Sequence, residues 1–140
     1  PRTHSELLFK GAVRDTAKRV YTGLIKIREN ADKSEAFQTN RSLTLSSGAW
    51  AESVPNLEIE TNDVKCSHAS TVGPIDDDQR FYLESRGIRP EIAERLVVFG
   101  FFADVIDRLP AAAQPDALRD KVGIKLLGVD FVPTKIGAKV

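Results

Sequence analysis

With 140 residues, 41% of them hydrophobic and 29% charged, the chain has the composition of a globular protein able to bury a core. Twenty Lys and Arg balance twenty Asp and Glu, so the basic excess expected of a nucleic-acid or membrane-surface binder is missing. No apolar run approaches the roughly 18 residues of a membrane span, and one cysteine, Cys66, leaves no internal disulfide framework and fits a reducing, cytoplasmic setting.

The opening Pro1-Arg2-Thr3-His4-Ser5 lacks the apolar core of a secretory signal. Methionine is absent throughout, which fits either a processed start or a piece of a longer chain. From there to Gly73-Pro74 the sequence reads as short strands. Tyr21, Gly23, Ile25 and Ile27 fall on one face, with Lys26 and Arg28 opposite. Leu43 and Leu45 alternate with Ser42, Thr44 and Ser46, and Leu57 and Ile59 with Glu58 and Glu60. Val64, Cys66, His68, Ser70 and Val72 share a face, opposite Lys65, Ser67, Ala69 and Thr71. A period of two is the signature of a half-buried strand. Asn30, Asn40, Asn56 and Asn62 are expected at the bends, where the side chain bonds local backbone. The loops Glu29–Ala36 and Ser46–Pro55 contain no tight Asn-Gly or Asp-Gly hairpin turn. Periodicity leaves a coil of parallel strands and a sandwich equally open, and no fixed sequence repeat is visible.

After Pro74 the period changes to three and four. Asp76 is placed to cap a helix, with Gln79 three residues on completing a capping box. Asp77 and Asp78 suit the positive end of its dipole, and Gly87 its left-handed stop. Pro90 opens a second helix at its first position, with Ile92, Leu96, Phe99, Ala103 and Ile106 as the expected buried stripe. A third helix from about Pro115 carries Leu118, Val122 and Leu126, and the pattern dissolves beyond Gly128. The expected organisation is α+β: strands over 1–74, three helices over 75–127 and a tail over 128–140.

Few residues carry chemistry. Asp76–Asp78 lacks the ligand number and glycine turn of a hard-cation loop, and a helix N-terminus accounts for it. Ser46, Ser67 and Ser70 have no Gly-x-Ser-x-Gly elbow, and Ser67 leaves its strand opposite His68. Glu58 and Glu60 share a strand face, the minimum for a glycosidase-like acid pair, although alternating acids are ordinary on exposed strands. The informative pair is Cys66 and His68. At i and i+2 of a strand, a thiol and an imidazole leave on the same face, a donor set suited to iron, zinc or a cluster. Two donors do not make a site. The alternative is a packed cysteine beside a hydrogen-bonded histidine. As the last strand before the helices this segment is placed to be a sheet edge, which recruits another strand unless protected, and a second chain would bring the missing ligands.

Asp63-Val64-Lys65-Cys66-Ser67-His68-Ala69-Ser70-Thr71-Val72-Gly73 resembles the signature of the SufB/SufD family of iron–sulfur cluster assembly proteins. Phe81-Tyr82-Leu83-Glu84-Ser85-Arg86-Gly87-Ile88 does too, and Tyr21-Thr22-Gly23, Gln38–Ser46 and Pro55–Ile59 fit the family in the same order. The resemblance runs from about Ser5 to Leu109. It implies the C-terminal coils of a right-handed parallel β-helix followed by a small helical domain, within a C-terminal piece of a longer protein. It implies a non-enzymatic scaffold subunit of a SufBCD-type complex. The strand end would pair with a SufB-like subunit, and the helices would dock a SufC-like ABC ATPase. Its Cys-x-His pair falls on Cys66 and His68, which would bind iron or a nascent cluster transiently, shared with the partner chain. Leu83 stands where the SufB branch carries a reactive cysteine, which favours the SufD branch. Expected partner contacts are Val64, Cys66, His68, Phe81, Tyr82 and Arg86. The same strand edge would allow a homodimer in isolation. The rivals are a structural dimerisation partner without metal contact and a β-helix carbohydrate-active enzyme.

Overall fold

The structure, a computed structural model, describes residues 2–127; the expected tail over 128–140 lies outside the described residues. The chain divides into two units, Pro1–Pro74 and Ile75–Val140.

The first unit consists of five ten-residue strands: β1 (His4–Val13), β2 (Lys18–Ile27), β3 (Glu35–Thr44), β4 (Trp50–Ile59) and β5 (Lys65–Pro74). They alternate between two sheets, β1-β3-β5 and β2-β4, and every pairing is parallel. His4 stands opposite Glu35 and Glu35 opposite Lys65, while Lys18 stands opposite Trp50. Parallel neighbours cannot be joined by a two-residue hairpin, which explains the missing Asn-Gly and Asp-Gly turns. The pairing runs on by one bond at the strand ends, through Leu45 N–H to Val13 O (2.8 Å), Trp50 N–H to Ala17 O (3.0 Å) and Glu60 N–H to Ile27 O (2.9 Å).

Between the sheets, β1 and β2 supply an apolar core of Val13, Ile25 and Ile27, with the Phe9 and Tyr21 rings 4.9 Å apart. The inward face of β3 is polar: Gln38, Asn40 and Ser42 are buried. This corrects the expectation drawn from Leu43, which is only half-buried on the opposite face. Asn40 and Asn56 also lie inside strands rather than at bends. Asn40 is held inward by Arg19, whose guanidinium donates to Asn40 Oδ1 at 3.0 Å and to Ser42 Oγ. Asn56 Nδ2 donates to Gly23 O at 3.3 Å. Backbone at Gly23 is approached so closely that an added Cβ would meet the Gln38 side-chain amide.

The second unit contains α1 (Asp77–Glu84), α2 (Pro90–Ile106), a short 3-10 turn at Ala111–Ala113 and α3 (Pro115–Leu127). Asp76 caps α1, its carboxylate accepting from Asp78 N–H (2.9 Å) and Gln79 N–H (3.3 Å). Gly87 follows at φ 84°, the left-handed geometry that ends a helix. Pro90 opens α2. The fully buried positions of α2 are Ala93, Val98 and Ile106, so of the expected stripe only Ile106 is fully covered. The helix packs against both α1 and α3, and burial on two sides blurs a single stripe.

Candidate functional site

Strand β5 is the edge of its sheet: β3 bonds one side and, among the described residues, no strand bonds the other. Its Cα partners are Ala36 for Cys66, Gln38 for His68, Asn40 for Ser70 and Ser42 for Val72. Side chains at paired positions of a parallel ladder leave on the same side. Cys66, His68, Ser70 and Val72 therefore continue the inward polar face of β3. Cys66 is half-buried, whereas His68, Ser70 and Val72 are exposed. Val64, just before the strand, is half-buried and lines a cleft of about 510 Å³ with Thr3, Ser34 and Asp63.

On the outward face a column of charge ties the strand starts together. Lys65 Nζ lies 2.8 Å from Glu35 Oε1, and His4 Nδ1 lies 3.5 Å from Glu35 Oε2. The Lys65 ammonium, then His4, hold the Glu35 carboxyl below its ordinary value, and Glu35 raises Lys65 in return. This ladder anchors β5 immediately beside Cys66.

Burial pushes the Cys66 thiol above its ordinary pKa. A thiol so placed is mostly protonated near neutral pH, and metal binding at sulfur requires loss of that proton. The exposed His68 imidazole is the more accessible donor. Among the described residues no group of three or more His, Cys, Asp or Glu converges to hold a metal. The pair is therefore at most half of a coordination site.

The remaining candidates do not assemble into chemistry. Ser46 Oγ donates to Asp15 O at 3.0 Å rather than to a histidine. Glu58 on β4 and Glu60 just beyond its end both reach Lys26 Nζ on β2, at 2.6 and 2.9 Å. Their hydrogen bonds raise Lys26 to about 12 and Lys26 lowers Glu60, the opposite of the raised carboxyl a general acid needs. Asp76 is a helix cap and Asp77 pairs with Arg80 at 3.2 Å.

In the helical unit, Phe81 and Tyr82 are 70% and 56% exposed, so neither is core. The Arg86 guanidinium lies 4.2 Å from the Tyr82 ring centroid, a cation–π arrangement that fixes both side chains. Tyr82 borders an apolar hollow of about 570 Å³ between α1 and α2, lined with Leu83, Leu96 and Val97. Sequence reasoning did not find the polar interior of Arg19, Gln38, Asn40 and Ser42. Its only trace was the polar alternation of Gln38, Asn40 and Ser42 itself.

A family profile described as SUF system FeS cluster assembly, SufBD core domain, matches residues 1–101, taking in all five strands, α1 and most of α2. The chain belongs to the SufBD family. The iron–sulfur cluster assembly SufBD family protein of Mycobacterium leprae is 44% identical over 117 residues, 78% of this chain and 30% of that protein. The iron–sulfur cluster assembly protein SufD of Escherichia coli is 37% identical over 125 residues, 89% of this chain and 30% of that protein. SufD of Bacillus subtilis is 43% identical over 104 residues, 74% of this chain and 24% of that protein. The chain thus spans less than a third of the length of the SufBD relatives it matches. Among the described residues no helix is long and apolar enough to cross a membrane.

Proposed function

We propose that this chain is part of a cytoplasmic, non-enzymatic SufD-type scaffold subunit for iron–sulfur cluster assembly. Its strands form coils of a parallel β-helix, a reading supported by strict alternation between two parallel sheets. The edge of β5 pairs with a SufB-like subunit. There Cys66 and His68 form a half-site for iron or a nascent cluster, the cargo of the assembly, with the remaining ligands supplied by that subunit. His68 is the first ligand, because its ring is exposed and needs no proton loss from a buried thiol. Cys66 follows once metal lowers the cost of ionising it. The α1–α2 surface around Phe81, Tyr82 and Arg86 docks a SufC-like ABC ATPase; an exposed aromatic braced by arginine is a common interface anchor.

One observation carries this reading: a thiol and an imidazole two residues apart leave the same face of an edge strand that, among the described residues, is paired on one side only. Co-purification with SufB-like and SufC-like subunits, with iron quantified, tests it. In His68→Ala and Cys66→Ala the complex should still assemble while cluster formation falls, further for His68. Unchanged cluster formation in both variants would leave a structural partner without metal contact. That second reading is favoured by the partial burial of Cys66, which raises its thiol pKa and so opposes the proton loss that metal binding needs.

A further inference from the structure

Strands β4 and β5 are the last strands of their two sheets. In a parallel ladder the backbone of a strand turns to a given neighbour at every second residue only. Trp50 N–H bonds Ala17 O (3.0 Å) and Glu60 N–H bonds Ile27 O (2.9 Å), so the even-numbered residues of β4 face β2. The backbone groups of Ala51, Ser53, Pro55, Leu57 and Ile59 point the other way, where among the described residues no strand lies. On β5 the same rule starts from Lys65 N–H, which bonds Ser34 O at 3.0 Å. It turns Cys66, His68, Ser70 and Val72 to the open side, followed by Pro74.

Pro55 is the middle member of the open row of β4. Its nitrogen carries no hydrogen, and its ring stands where an added strand would place an acceptor. Because that nitrogen faces away from β2, the pairing of β2 with β4 runs through it unbroken from Trp50 to Ile59. A proline within a strand is tolerated at such an edge position. The two edges therefore differ. β5 presents uninterrupted donors and acceptors over Cys66–Val72, a template for another strand. β4 presents a row broken at its centre. Beside it stand Leu57 and Ile59, 40% and 43% exposed, paired in register with the buried, inward-facing Ile25 and Ile27.

We propose that Pro55 restricts strand addition at this end of the stack to β5. A partner adds its strand along Cys66–Val72, with the ladder ending at Pro74. It meets the β4 side through apolar side chains laid on Leu57 and Ile59, not through backbone bonds. The restriction fixes the partner's placement, since a strand bound along β4 would leave Cys66 and His68 unmatched. The β5 half of this rests on the pairing edge proposed above; the role of Pro55 follows from the backbone of β4 alone.

Pro55→Val, which restores the missing donor in a residue favoured in strands, tests that role in the chain by itself. Sedimentation velocity reads self-association, and amide exchange reads Ser53 and Leu57, the open-row donors on either side of position 55. The variant should self-associate more than the native chain. At high concentration its Ser53 and Leu57 amides should exchange on the order of tenfold more slowly than at low concentration. The same amides of the native chain should exchange at one rate throughout. Identical behaviour of the two chains, or concentration-dependent protection of Ser53 and Leu57 in the native one, overturns the role of Pro55. Should Pro55→Val fail to fold, Pro55→Ala restores the donor without added bulk and is read the same way. Ser70→Pro moves the block to β5, where the lost N–H faces away from β3. It should abolish association with a SufB-like subunit while leaving the fold intact by circular dichroism. A folded Ser70→Pro chain that still associates overturns β5 as the pairing edge, a failure distinct from that of Pro55.

Discussion

Strands β3 and β5 are neighbours in one sheet, aligned residue for residue, and both turn a largely polar face inward. On β3 the row Gln38, Asn40 and Ser42 is buried; on β5 His68, Ser70 and Val72, paired with it position by position, are exposed. Composition does not separate the two rows. Place in the stack does, because among the described residues β3 has a strand on either side and β5 has one. A covered polar row has to find most of its partners inside, and Arg19 supplies them for Asn40 Oδ1 and Ser42 Oγ. An uncovered row keeps its donors for another molecule, and that availability is what a shared coordination site requires.

The sharpest break in this comparison comes from apolar residues at covered and open positions. Ile27, 4% exposed on the inward face of β2, should cost about 3–4 kcal/mol when replaced by alanine, read from urea denaturation. Val72, 41% exposed on the inward face of β5, should cost less than about 0.5 kcal/mol as alanine in the chain alone. In complex with a SufB-like subunit, Val72→Ala should instead weaken association. A Val72 cost matching that of Ile27 in the chain alone would mean that the end row is already covered.

Glycines give a smaller version of the same contrast. At Gly23 an added Cβ meets the Gln38 amide and comes within 2.9 Å of the Tyr21 hydroxyl; at Gly73 on β5 it meets nothing within 4 Å. Gly23→Ala should therefore destabilise by about 2 kcal/mol through overpacking, and Gly73→Ala should be nearly neutral. Thermal melting of both variants checks the pair.

Cys66 sharpens the comparison without changing stability. Burial raises its thiol pKa, so alkylation by iodoacetamide at neutral pH should be slower in the folded chain than in urea, and the apparent pKa from the rate profile should lie above that of the unfolded thiol. Iron bound with a SufB-like subunit should protect the residue. A folded thiol that reacts faster than the unfolded one would remove the supporting role assigned to Cys66.

Much of this was visible in the residues, for physical reasons that also mark where reading stopped. A period of two located β2, β4 and β5, because each alternates residue types along a pleat, and it placed Cys66 and His68 together. It misread β3, where the buried row is polar and the half-buried row holds Phe37 and Leu43. Hydrophobic alternation assumes an apolar inward row, whereas the inward row of β3 is polar and two of its members are bonded by Arg19, a residue of another strand. No local pattern announces that Asn40 will meet it. The same limit affected α2: a helix packed by two neighbours buries Ala93 and Val98 as well as the end of the expected stripe. Caps are local chemistry, and Asp76, Gly87 and Pro90 were legible for that reason.

The smallest expected effect concerns how β5 is attached. Lys65 and His4 converge on Glu35 across three adjacent strands, and the Glu35 carboxyl is held below its ordinary value mainly by the Lys65 hydrogen bond. A carboxyl with a lowered folded pKa stabilises fully above its unfolded value and loses that contribution as pH falls through the folded one. The exposed pair is screened by water and salt, so global stability should hardly move, but the edge strand has only one neighbour to hold it. Amide exchange at Lys65 and Ser67, corrected for intrinsic rates, should accelerate relative to β3 as pH drops below the ordinary carboxylate range. Glu35→Gln should exchange at the faster rate already at neutral pH and lose the acid dependence. If exchange of β5 follows β3 at every pH, the charge ladder does not govern the edge, and the backbone bonds to β3 alone hold Cys66 and His68 in place.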